Sequence, residues 1–204
     1  MTARSSPRFA LAEREEARAR ILEAARACFA RKGVAKTTME DVAREAGIGR
    51  TILYRFYSGR SELVEAAIVE RIRELAAGLA DDAARHTTFA EALVEVSLAT
   101  IETARHDGEL HSLFESAGDI RLHQVLAGNY PPTVRLVLDF WRPWFEKARA
   151  EGDMRADVRD EDAVEWIRGC YLSMILRDDL TVERERQLLT DFLLPALRPS
   201  AAEG

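Results

Sequence analysis

Residues 37–63 read TTMEDVAREAGIGRTILYRFYSGRSEL, and this stretch narrows the fold more than any other. Thr37 and Thr38 can each cap a helix start, and Glu40 stands three after Thr37, in capping-box spacing. Met39, Val42, Ala43 and Ala46 then share one helical face. Gly47 can take the left-handed backbone that ends a helix without a Cβ clash. Ile48 turns the corner inward, and from about Arg50 a second short helix carries Leu53 and Phe56 toward the core. A small residue at 43, a glycine at 47 and an aliphatic residue at 53 are what two closely crossing short helices need. An ordinary helical hairpin has the same needs, so this spacing alone leaves both readings open.

The flanks decide between them. Upstream, RARILEAARACFARKGVAKTT (18–38) is an amphipathic helix with Ile21, Leu22, Ala25, Cys28 and Phe29 on one side. It ends in Arg31-Lys32-Gly33, cations and then a glycine, as a helix C-terminus favours. Downstream, LYRFYSGRSEL leads into another apolar-periodic helix. Taken together, "ILEAARACFARKG", "TTMEDVAREAGIGR", "LYRFY" and "RSEL" over residues 18–65 resemble the N-terminal DNA-binding domain of the TetR family of transcriptional regulators. The chain departs from that pattern at four places. Gly49 stands where a capping Ser is common, Ile52 where Thr is common, and Gly59 where a Ser cap is common. Phe56-Tyr57 inverts the usual order of the two rings, which leaves open which of them faces the core.

Charge agrees with a polyanion partner at one end. Residues 1–60 carry 13 Lys/Arg against 7 Asp/Glu, while the remaining residues carry 16 against 28. The whole chain of 204 residues has net charge −6. An acidic body repels phosphate and so helps orient a basic head on it. Arg4, Arg8, Arg14 and their neighbours read either as a solvated tail or as an arm reaching phosphate or a minor groove. Hydrophobic residues make up 47% and charged residues 31%, the balance of a soluble globular protein. No apolar run approaches membrane-spanning length and no secretory segment is evident, so the expected compartment is the cytoplasm. Cys28 and Cys170 read as reduced thiols in helix cores.

Past residue 60 the pattern is helical throughout. Helices are expected at 61–80, 88–105, 109–117, 120–127, 133–151, 160–177 and 183–197, with Pro143 kinking or splitting the fifth. The fold class is therefore all-α. A basic arm (1–17) precedes a three-helix helix-turn-helix domain (18–60). A larger helical ligand-binding and dimerisation domain (61–198) and a short tail (199–204) follow.

The candidate DNA-binding residues are Thr38 at a helix N-terminus, Arg50, Thr51 and Arg55 on the exposed recognition face, Tyr54 and Tyr57 as phosphate donors, and Arg60 at the next helix start. One short helix gives too few contacts for specificity, so two copies must meet successive major grooves about 34–36 Å apart. The resemblance implies that the last two long helices pair with those of a second subunit. Trp166, Cys170, Ser173, Met174, Leu189, Phe192 and Leu193 are the candidates for that interface. Aromatic residues of the body can line an effector pocket or simply fill a core. The pocket candidates are Phe89, Leu93, Leu110, Phe114, Trp141 and Trp144. The spacing of His86, His106, His111 and His123 matches no zinc pattern, so no metal and no cofactor are expected. No phosphate loop, nucleophile elbow or paired carboxylate points to catalysis. The expected partners are a palindromic double-stranded operator, a small apolar or aromatic effector and a second copy of the chain, with no membrane. The sign of regulation stays open, with release of a repressor as the leading reading. The rivals are a small helical enzyme and an interaction module whose helix-turn-helix is only structural.

Overall fold

The computed structural model describes residues 7–117 and 130–199, and every element among them is helical. The helix expected at 120–127 lies outside the described residues, as do His123, residues 1–6 of the arm and residues 200–204 of the tail. Two compact units are present, Met1–Glu70 with Glu109–Gly118, and Arg71–Gly108 with Asp119–Gly204.

The first unit opens with α1 (Pro7–Lys32), which starts about ten residues earlier than the sequence pattern indicated. Residues 7–17, read from sequence as arm, are helical. Ile21, Leu22, Ala25, Cys28 and Phe29 are buried along the second half of α1. Gly33, at φ 80°, stops the helix, and its N–H reaches Phe29 O at 2.8 Å. Next come α2 (Met39–Glu45) and α3 (Arg50–Phe56). The cap of α2 is Thr38, with Asp41 completing the box, rather than Thr37 with Glu40. Thr37 is buried instead and donates its hydroxyl to Gly33 O at 2.9 Å, tying the loop to the end of α1. Gly47 is left-handed at φ 66°, and the Ile48 N–H bonds Ala43 O at 3.0 Å, so the corner closes where the sequence indicated. α4 (Arg60–Ala83) begins in this unit and buries Leu63, Val64, Ala67 and Ile68. α6 (Gly108–Ala117) also belongs here, clamped to α1 by a two-pronged ion pair from Arg26 to Glu109 at 2.7 and 2.8 Å.

The second unit holds α5 (Phe89–His106), α7 (Pro131–Glu151), α8 (Asp160–Ile175) and a terminal run. That run is α9 (Val182–Leu188), a π turn (Leu189–Leu193) and α10 (Leu194–Leu197). Pro131 and Pro132 lead α7, where their missing N–H groups cost nothing. Pro143 neither splits nor ends α7, which continues to a left-handed Gly152. Phe89, Trp141 and Phe145 form the aromatic centre, with Phe145 edge-on to Phe89 at 6.1 Å and stacked on Trp141 at 6.2 Å. Beside them a polar knot closes on itself. Ser97 bonds Leu93 O and, at 3.0 Å, the Tyr171 hydroxyl, while Thr100 donates to Val96 O at 2.7 Å. Burial pushes the Tyr171 phenol well up from its ordinary range.

Candidate nucleic-acid interface

Leu53 is the only fully buried residue of α3. With about 100° between successive residues, that single anchor sets the helix's phase. Thr51 and Arg55 stand at the centre of the outward face, and Tyr54 and Ile52 lie on its two flanks. All four are exposed, as is Arg50 in the first turn. Arg50 lies 4.0 Å from Glu40, both side chains being mostly in solvent, and such a pair holds its members weakly. Gly49 caps α3 with backbone only and makes no side-chain cap hydrogen bond.

Three candidates need revision or restriction. Tyr57 is 1% exposed, and it is the core ring of the pair, whereas Phe56 is half-buried. Its hydroxyl points inward to Arg18 O at 3.4 Å, and the Arg18 guanidinium sits 4.5 Å from the ring centroid. Burial raises its phenol above the ordinary value. A side chain in that position does not reach a phosphate, so Tyr57 is a core residue of this domain. Thr38 is exposed but works as a cap, accepting from Asp41 N–H at 3.2 Å and donating to the Asp41 carboxylate at 2.8 Å. Arg60 is exposed and sends one arm of its guanidinium to Ala35 O at 2.7 Å, which bridges the start of α4 to the loop before α2.

Ion pairs fix the α2 scaffold that carries α3. Lys32 and Asp41 meet at 2.6 Å, and Arg31 and Glu45 at 2.6 Å. Lys32 first, and then the Thr38 cap, hold the Asp41 carboxyl well below the usual carboxylate range. Arg31 lowers Glu45 in the same way. Sequence reading missed Asp41 and Arg18. Asp41 had a signal, since it stands three after Thr38 as Glu40 does after Thr37. Arg18 had none, because its partners lie nearly forty residues away.

The body candidates separate into two groups. Leu110 and Phe114 belong to the first unit, and Phe89, Leu93, Trp141 and Trp144 to the second, so the six are not one cluster within either unit. Phe89, Leu93 and Trp141 are fully buried in the aromatic centre, and Trp144 is packed against it half-buried. Of the interface candidates, Met174, Leu189 and Leu193 are buried within the second unit and are core residues. Ser173 is exposed, Cys170 is half-buried, and Trp166 and Phe192 are 54% and 64% exposed. Among the described residues no group of three His, Cys, Asp or Glu side chains is placed to hold a metal ion, and no helix is long and apolar enough to cross a membrane.

Residues 21–67 match the family described as bacterial regulatory proteins, tetR family. The HTH-type transcriptional regulator TtgR of Pseudomonas putida is 43% identical over 56 residues, 28% of this chain and 27% of that protein. An HTH-type transcriptional repressor of Streptomyces coelicolor is 36% identical over 62 residues, 30% of this chain and 32% of that one. The similarity thus spans about a third or less of these relatives' length. The fold extends further. The transcriptional repressor QsdR of R. erythropolis, from the TetR family, superposes with TM-score 0.69 at 16% identity, over 93% of this chain and 99% of that one. SmeT in complex with triclosan superposes with TM-score 0.54 at 26% identity, over 91% and 93%. RolR in complex with resorcinol gives TM-score 0.68 at 17% identity, over 95% and 93%.

Proposed function

We propose, for a chain whose N-terminal segment makes it a member of the TetR family of bacterial regulatory proteins, that it is a homodimeric transcriptional regulator of the cytoplasm that grips a palindromic operator and lets go when a small effector binds. The observation that carries this reading is the solvent-exposed surface of α3, where Thr51, Tyr54 and Arg55 face outward and Arg50 stands in solvent at the first turn, on a helix anchored by one buried leucine. Arginine forks match the O6 and N7 acceptors of guanine, and Tyr54 and Thr51 donate to phosphate. Arg60 adds charge beside them. Thr38 keeps the scaffold helix in register rather than making a contact of its own.

Dimerisation falls to α8 and the terminal run. Trp166 and Phe192 are large, apolar and exposed, and water is a poor neighbour for both. A second copy of the same face covers them by a two-fold axis. The effector is a small apolar or aromatic molecule that parts the aromatic centre of the second unit around Phe89, Leu93, Trp141 and Trp144. The complexes of SmeT with triclosan and RolR with resorcinol support aromatic chemistry for it. Effector and operator then weaken each other by the same factor, as linkage requires. The regulator represses, in line with the relatives named as repressors.

Footprinting of the purified protein on genomic DNA tests the reading. A palindromic protected site is the expected result, and loss of its binding with Arg50→Ala plus Arg55→Ala ties the site to α3. No protected duplex at low salt, or full binding by the double variant, overturns it.

A further inference from the structure

Among its described residues the first unit leaves two large apolar side chains in solvent, and both are on α3: Ile52, 45% exposed, and Tyr54, 44% exposed. Tyr54 carries a hydroxyl that water or a phosphate can satisfy. Ile52 carries nothing polar, so its exposure forgoes the stabilisation that burial of an aliphatic side chain gives. The side chain is also well aimed. The Ile52 N–H bonds Gly49 O at 2.9 Å, so the residue is inside the hydrogen-bonded turn rather than frayed from it. A β-branched side chain on a helix is held near one χ1 rotamer. Ile52 therefore projects stiffly from the flank of the face that Thr51 and Arg55 centre.

The neighbours indicate what covers it. Arg50 and Arg55 are exposed cations on the same short helix, a surroundings that fits a polyanion rather than an apolar protein groove. In a major groove nearly every base edge is a hydrogen-bond donor or acceptor, and an isoleucine pressed on one leaves it desolvated and unpaired. One group on the groove floor is different, the C5-methyl of thymine. We infer that Ile52 is a specificity-determining residue that packs on a thymine methyl in each operator half-site. The inference rests on the reading of α3 as the groove-facing helix.

The test uses the full-length protein and its selected operator in synthetic duplexes, with each thymine in turn replaced by uracil, which removes the methyl and nothing else. Binding is read by fluorescence anisotropy for the unmodified protein and for Ile52→Ser, a change that leaves helix propensity nearly constant at an exposed position. One thymine per half-site is expected to matter. Its replacement should weaken binding about fourfold per half-site, the worth of burying one methyl group, and Ile52→Ser should abolish that sensitivity. Two results overturn the assignment: no thymine is sensitive in the unmodified protein, or the sensitivity survives intact in Ile52→Ser. A protein that binds its operator normally yet gives either result refutes the role of Ile52 alone. A protein that binds no duplex at all refutes the reading of α3 as well.

Discussion

Arg50 and Arg55 reach solvent from one short helix, yet they differ in what restrains them. Arg50 leans toward Glu40 at 4.0 Å, and because both side chains are mostly exposed that pull is slight. Each arginine is therefore free to trade water for a guanine edge or a phosphate. Alanine at either position should weaken specific binding by about 1–3 kcal/mol if it meets guanine. If it meets only phosphate, the loss should be uniform across sequences and the salt slope should drop by about one. Anisotropy titrations over a range of salt, on operator and scrambled duplexes, separate these outcomes. Unaltered affinity and slope for both variants would remove α3 from the interface. Tyr57 gives the opposite contrast. Its ring is buried and its hydroxyl makes one long bond to Arg18 O. Tyr57→Phe should keep both fold and DNA affinity within about 1 kcal/mol, the scale of a single hydrogen bond. Tyr57→Ala should lower stability by about 3–5 kcal/mol through the cavity it leaves. Thermal unfolding gives the stabilities, and a large loss of DNA affinity in a fully folded Tyr57→Phe protein would restore the phosphate contact that its burial denies.

At the scale of the element, α2 is seven residues long and cannot stand on propensity, so its cap and its ion pairs set it. Asp41 does both, accepting from Thr38 N–H at 3.1 Å and from Lys32 at 2.6 Å. Its folded carboxyl is held below the unfolded one. The stabilisation is therefore complete above the ordinary carboxylate range, near pH 4, and is lost as pH falls below that toward the folded value. Asp41→Asn should accordingly melt lower than the unmodified protein at pH 6, and the gap should narrow steadily toward pH 2. A gap that stays constant with pH would show that the charge of Asp41 is not what holds α2. The same element shows why some of this fold can be read from sequence. Gly33 and Gly47 are legible as stops because a left-handed turn is a local event, and both adopt positive φ. The register of the cap was not, since Thr37 and Thr38 offer equivalent spacings and only the packing of Thr37 against Gly33 O breaks the tie. The terminal run misled for a different reason. A 3.6-residue projection puts Leu189, Phe192 and Leu193 together, but Phe192 faces solvent while Glu185, Leu189, Leu193 and Leu197 are all buried. A strict spacing of four drifts off one face of an α-helix. The π turn at Leu189–Leu193, where the Leu194 N–H reaches back to Leu189 O, slows the winding enough to keep those four in line.

For the molecule as a whole the open term is the second copy. On the proposed reading, α3 is seven residues long and one such helix reads too few base pairs to pick a site from a genome, so affinity for an operator would be a property of the pair. The second unit has already spent Met174, Leu189 and Leu193 on its own core, which leaves Trp166, Ser173 and Phe192 outside it. Of these the two aromatic rings can carry an interface, because buried aromatic anchors are commonly worth about 2 kcal/mol or more each. By two-fold symmetry each one is counted twice. Trp166→Asp with Phe192→Asp should thus shift sedimentation from dimer to monomer at micromolar protein. The melting of each second unit should fall far less, since neither side chain is part of that core. Operator binding should weaken together with dimerisation and become steeply dependent on protein concentration, while the weak, salt-sensitive attraction of the first unit's cations for any duplex persists. A double variant that still sediments as a dimer would place the interface on another face. One that turns monomeric yet keeps full operator affinity would mean that a single α3 suffices, and the need for symmetry would go with it.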